Sequence, residues 1–214
     1  ADVRDFYLSG GDPLLHDQWH DLLAELRKRG KVVALLGNPE TLTVERARCL
    51  ADLNVAFFQM SLDGLKETHD TIRGRGSFAR TIEKLELLAS CGIPGHVMFT
   101  LFPDNADELV PLLRFVARET PASSFAFDIG CKVGRASKIG ACLTASGLSE
   151  IFADYLEAKA CLQGQGHPLI ATEKPNLLRL SRLTQGAFFP VRASGLAVVA
   201  GCLCGWAGVS ILPD

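Results

Sequence analysis

The feature that most constrains this chain is a recurrence. Short apolar runs break into small or acidic residues, and each is followed by a stretch of helical spacing. Val3-Arg-Asp-Phe-Tyr-Leu-Ser9 ends at Gly10-Gly11-Asp12, and Pro13 suits the first turn of the next segment. Trp19, Leu22, Leu23 and Leu26 then recur at helical intervals up to Gly30, a natural C-cap. Val32-Val-Ala-Leu-Leu36 is a second strand, stopped by Gly37-Asn38-Pro39. Val44, Ala47, Leu50 and Leu53 give the next helix, with Thr43 as its N-cap.

The third strand is read from Val55 to Leu62, followed by a polar connection from Asp63 to Gly76. Ser77 is expected to cap a helix with the apolar face Phe78, Ile82, Leu85 and Ala89, closed by Gly92. His96 to Phe102 is the fourth strand. Asp104 to Glu108 is an acidic helix start that complements the helix dipole, and Leu109, Leu112 and Val116 continue that helix. Ser124 to Ile129 is the fifth strand, before a basic loop from Cys131 to Gly140.

Strand and helix alternate about every 25–35 residues, the signature of right-handed βα units on a parallel sheet. Five strands, or six with one more before the first, are too few for a closed eight-stranded barrel. The expected fold is therefore α/β with a parallel sheet. After residue 143 the rhythm changes to one helix (Leu148, Ile151, Phe152, Tyr155, Leu156) and then irregular sequence. Residues 1–143 are read as the strand–helix domain, and residues 144–214 as a linker helix and the beginning of an extension.

At 214 residues the chain can bury one substantial core. A net charge of −2 gives no reason to expect nucleic acid or a membrane surface as partner, and no apolar run reaches the ~18 residues of a membrane span. Seven cysteines without framework spacing fit a reduced, cytoplasmic setting. The chain opens at Ala1 without a Met and stops at Asp214 just after an apolar run, so both ends read as cut.

In strand–helix repeats, ligands sit past the carboxyl ends of the strands. Gly10-Gly11-Asp12 offers open backbone groups and one carboxylate there. These suit an ammonium, or a phosphate cradled by amides, or simply a tight turn with Asp12 at a helix start. Ser61 and Asp63 alternate at the end of the third strand and face one side. They suit a diol or an amino-acid head group, with Arg73 beyond them able to pair with a carboxylate. The plain alternative is a solvated loop with ion pairs among Lys66, Glu67, Asp70 and Arg73. Cys202 and Cys204 are two closely spaced thiols, suited to a soft metal or cluster, or equally to a small apolar core.

Together these residues resemble the radical S-adenosylmethionine (radical SAM) enzymes, in the branch that carries a C-terminal SPASM-type iron–sulfur extension. Ser9-Gly-Gly-Asp-Pro13 resembles the family's Gly-Gly-Glu-Pro strand end, with Asp12 in place of Glu. Met60-Ser-Leu-Asp-Gly64, His69-Asp70 and Ile72-Arg-Gly-x-Gly-Ser-Phe78 resemble a later strand end and its loop. Gly37-Asn38, Gly134-Arg-Ala136 and Cys204-x-x-Ala-Gly208 with Ile211-x-Pro-Asp214 resemble further segments.

The family resemblance that these motifs carry implies a partial (β/α)6 TIM-like barrel incomplete at its N-terminus, formed by residues 1–143. It also implies that Gly10, Gly11 and Asp12 hold the methionyl ammonium of S-adenosylmethionine. It implies that Ser61 and Arg73 hold the methionyl carboxylate, that Asp63 lies near the ribose, and that Asn38 lines the site. Cys204, with Cys202 beside it, would begin an auxiliary [4Fe–4S] site. The family's Cys-x3-Cys-x2-Cys triad for the catalytic [4Fe–4S] cluster is absent from these residues.

A parent enzyme of this kind would reductively cleave S-adenosylmethionine to a 5′-deoxyadenosyl radical and modify a peptide or protein. Its electron donor would be a flavodoxin or ferredoxin, and this chain alone would be inactive. The rivals are a non-catalytic peptide-binding homologue and a (β/α)-barrel lyase that uses Gly10-Gly11 for phosphate.

Overall fold

The computed structural model describes residues 3–130 and 145–173. Six strands, β1 (Asp5–Leu8), β2 (Val32–Leu36), β3 (Phe58–Ser61), β4 (Gly95–Leu101), β5 (Ser124–Ile129) and β6 (Ile170–Glu173), form one sheet in the order β1-β2-β3-β4-β5-β6. Every neighbouring pair is parallel. A doubly wound sheet reverses its strand order at a switch point. This one never reverses, so right-handed crossovers place each helix on the same face, as in a barrel wall. The described strands therefore form a six-stranded parallel partial barrel.

The helices are α1 (Trp19–Lys28), α2 (Val44–Asp52), α3 (Lys66–Arg73), α4 (Ser77–Ser90), α5 (Leu109–Glu119) and α6 (Ala145–Gly164). Strand residues alternate between two faces. Met60, Val97, Phe125 and Ala171 lie in register across β3 to β6 and pack into the helix-side core with Leu85, Leu88, Leu112, Val116 and Tyr155. On the opposite face the rows are mixed, mostly polar or small but with Met98 and Ile170 among them. Gln59, His96, Ser124 and Ile170 form one row; Ser61, Met98, Ala126 and Thr172 form the next, nearer the strand ends.

Several expectations are corrected. The connection from Asp63 to Gly76 contains α3, a helix whose only buried residue is His69. Ser77 does not cap α4. Gly76 is the N-cap residue, in the left-handed conformation, and the Asp70 carboxylate accepts from Gly76 N and Phe78 N, both at 2.8 Å. Leu88 rather than Ala89 completes the buried face of α4. The third strand is shorter than read, because β3 begins only at Phe58.

The largest difference concerns residues 145–173. A sixth strand, β6, pairs with β5, and Leu148, Phe152 and Tyr155 of α6 bury themselves in the common core. This segment thus belongs to the barrel wall, not to a linker beginning at 144. The strand β6 is too short and too polar (Ile-Ala-Thr-Glu) to announce itself in sequence. The loop from Cys131 to Gly140, Gly134-Arg-Ala136, Cys202 and Cys204 lie outside the described residues. No described helix is long and apolar enough to cross a membrane.

Candidate functional site

Two strand ends carry most of the candidate residues, and they are built differently. After β1 the chain turns through Gly10 at φ +89° and Gly11 at φ +43°, a region that residues with a Cβ enter only at a cost. A Cβ on either glycine would meet nothing within 4 Å. Among the described residues, no hydrogen bond occupies the N–H or C=O of either one. The turn thus presents bare backbone to open space.

Asp12 has other work. Its Oδ1 accepts from Leu14 N at 3.0 Å and caps the short 3-10 turn Pro13–Leu15. Its Oδ2 accepts from Asn38 N at 3.0 Å and from the Thr41 hydroxyl at 2.5 Å. Asn38 accepts from Glu40 N through Oδ1 and so caps the turn after β2. Asp12 and Asn38 therefore lock two neighbouring loops together. Asp12 stands at the helix start that one reading of the motif anticipated, and three of the roughly four acceptor positions of a carboxylate are spoken for.

The end of β3 is organised around Asp63, only 3% exposed. Its Oδ2 accepts from Nε and Nη2 of Arg73, each at 2.6 Å, and its Oδ1 accepts from Thr100 N at 2.9 Å. Its backbone N–H donates to His69 Nδ1 at 2.9 Å, and its C=O accepts from Asn105 Nδ2 at 2.9 Å. Asp63 and Arg73 are thus partners of each other. The Arg73 side chain keeps 45% of its surface exposed, so its remaining edge faces outward. The Ser61 hydroxyl, on the sheet face away from the helices, has no hydrogen-bond partner among the described residues.

Three residues support this end: Asn105 and Glu108, whose roles were missed in the sequence, and His69, which was read only as part of a motif. Asn105, 0% exposed, donates to the carbonyls of Asp63 and Thr100 and accepts from Phe102 N, which clamps the ends of β3 and β4. Glu108 accepts from Leu65 N and the Thr68 hydroxyl, satisfying the first turn of α3. His69, 1% exposed, is held neutral: burial lowers its pKa below the usual 6.5, against an upward pull from Asp63. The loop ion pairs of the plain alternative are not seen: Asp70 accepts from Gly76 N and Phe78 N at the start of α4, and Arg73 pairs with Asp63. The only signals for these roles were the asparagine and glutamate inside an acidic run, too generic to read.

The fit of two groups differs. Bare Gly10–Gly11 backbone, a free serine hydroxyl and an outward guanidinium edge fit a zwitterionic amino-acid end. The described residues hold no group of three or more His, Cys, Asp and Glu side chains arranged for a metal ion, so no ligand set for a cluster lies among them. A groove on the helix side, lined by Val110, Arg114, Ile151 and Asp154, contains none of the candidate residues.

The parallel strands and the helices between them form the wall of a partial (β/α) barrel. The sequence matches the model of the radical SAM superfamily over residues 1–116, and the chain belongs to that superfamily. It is 30% identical over 139 residues to the sporulation killing factor maturation protein SkfB of Bacillus subtilis, covering 64% of this chain and 33% of SkfB. It is 28% identical over 165 residues to pre-heme d1 synthase of Dinoroseobacter shibae, covering 76% of this chain and 41% of that protein. In structure it resembles Streptococcus suis SuiB bound to S-adenosylmethionine, with a TM-score of 0.68 at 16% identity, covering 82% of this chain and 41% of SuiB. The chain thus matches roughly a third to two-fifths of the length of these relatives.

Proposed function

We propose that this chain is the S-adenosylmethionine-binding wall of a radical SAM oxidoreductase that modifies a peptide or protein. The observation that carries the reading is the pairing of two unlike strand ends on one sheet. Gly10–Gly11 leaves backbone acceptors and donors unfilled, and the β3 end holds an outward guanidinium beside a free Ser61 hydroxyl. An ammonium suits the glycine carbonyls, and a carboxylate suits Arg73 and Ser61.

With a reduced [4Fe–4S] cluster, the cofactor supplies the hydrogen-abstracting radical chemistry. These residues would bind and orient its methionyl end. The catalytic cluster ligands would have to come from outside the described residues. Cys204, with Cys202, would open an auxiliary cluster site in a SPASM-like extension. The setting would be cytoplasmic, with flavodoxin or ferredoxin as electron donor.

A peptide substrate is supported by the similarity to SkfB, a maturation protein. A tetrapyrrole substrate is the second reading, favoured by the similarity to pre-heme d1 synthase. The test is to reconstitute the full-length protein anaerobically and measure 5′-deoxyadenosine release, alone and with peptide or tetrapyrrole. Release that depends on peptide is the expected result, and no release with a fully loaded cluster overturns the reading. Arg73→Ala should weaken S-adenosylmethionine binding by about 1.5–3 kcal/mol, as for a hydrogen bond to a charged group. An unchanged dissociation constant removes Arg73 from the site.

A further inference from the structure

His69 and Arg73 stand four residues apart on α3, so they share one face of the helix. Both reach back to Asp63. Arg73 grips its carboxylate, and His69 Nδ1 accepts its backbone N–H at 2.9 Å. An acceptor at Nδ1 means that the proton of the neutral ring is on Nε2. A protonated imidazole has no acceptor left, and the buried Asp63 amide would lose its partner. The next residue, Asp70, points the other way and ties the same helix to α4. The helix that carries Arg73 therefore hangs on Asp63 by two grips, and one of them exists only in a single protonation state.

We propose that His69 is a positioning residue for Arg73: its unprotonated Nδ1 holds the Asp63 amide and thereby fixes the carboxylate that aims the guanidinium. What Arg73 then binds rests on the S-adenosylmethionine reading above; the positioning itself does not. The groups facing the ring are Asp63 from the β3 end, Asp70 and Arg73 from its own helix, and the Phe78 ring of α4 at 6.1 Å between centroids. The two carboxylates favour the imidazolium, whereas burial and Arg73 oppose it, and burial dominates. Acid must therefore go below the ordinary histidine range before the grip is lost.

The experiment uses three proteins: wild type, His69→Phe and His69→Asn. Phenylalanine keeps the ring's bulk without an acceptor. Asparagine puts its Oδ1 as many bonds from Cα as Nδ1 and does not titrate. In ¹⁵N NMR of the chain at pH 7.5, the Arg73 Nε–H should be protected in wild type and His69→Asn and exchange at least tenfold faster in His69→Phe. In the full-length, cluster-loaded protein, S-adenosylmethionine affinity should fall at least tenfold in His69→Phe and stay within about threefold in His69→Asn. As the pH is taken from 7.5 to below the ordinary histidine range, wild-type affinity should weaken while that of His69→Asn stays level.

Folded His69→Phe with wild-type Arg73 protection overturns the proposal. If His69→Phe does not fold, His69→Asn decides: an acid profile parallel to wild type overturns it, and a level one supports it. A wild type that fails to bind S-adenosylmethionine at any pH overturns the cofactor reading, and Arg73 protection still decides the role of His69.

Discussion

The ends of β1 and β3 sit two strands apart in one sheet and solve opposite problems. At β1 the backbone is left bare, and the one acidic side chain is spent on its own turn and on the loop after β2. At β3 every polar group of Asp63 is satisfied by protein, and only the outer edges of Arg73 and Ser61 are offered. The first end presents open backbone, the second a side chain held by its neighbours. Backbone recognition needs glycines that tolerate positive φ. Side-chain recognition by a long, flexible arginine needs supports that remove its rotamer freedom.

The comparison can be broken by substitution, starting where the effect should be largest. Asn105→Leu leaves the carbonyls of Asp63 and Thr100 and the N–H of Phe102 without their buried partner. It should cost about 3 kcal/mol in urea unfolding. Gly64→Ala comes next. Gly64 lies at φ +154°, and a Cβ there would sit 2.5 Å from the Glu108 carboxylate, so a loss of about 2 kcal/mol is expected. Asp12→Ala removes a cap and the bridge to Asn38 and Thr41, and should cost about 1.5 kcal/mol.

Gly10→Ala sharpens the contrast. The new methyl meets open space, so thermal unfolding should register only the positive-φ penalty of about 1 kcal/mol. Ligand affinity should nevertheless drop by far more than stability does. Equal losses at Gly10 and Gly64 would mean that the two ends are not built differently.

A separate test of the fold is with pH. His96 stacks on Phe57 with ring centroids 4.0 Å apart, and burial lowers its pKa from 6.5 to about 4. The unfolded chain takes up a proton below pH 6.5 that the folded chain refuses until about 4. Stability is therefore complete above pH 6.5 and is lost gradually as pH falls toward 4. His96→Phe should flatten that slope in melts taken at successive pH values.

Much of this was legible in the residues. Val32-Val-Ala-Leu-Leu36 and Ser124 to Ile129 are apolar enough to be read to the residue, and Thr43 caps α2 as its position implied, accepting from Arg46 N. The helix α3 escaped because its face is almost wholly polar and its buried member is a histidine, which hydrophobic periodicity does not count. The strand β6 escaped because four residues, Ile-Ala-Thr-Glu, are too few to carry a pattern. At the site, Ser61, Asp63 and Arg73 were visible as a group, but their division of labour was not. Whether a carboxylate faces a ligand or a neighbouring guanidinium depends on where a helix folds back, and spacing alone does not encode that.

The uninterrupted strand order has a consequence for how the protein is made. Each described strand after β1 pairs with the one synthesised just before it, so its docking edge leaves the ribosome before it does. The sheet can lengthen by one strand at a time without waiting for a distant part of the chain. Its exposed edge then moves along with translation instead of remaining in one place.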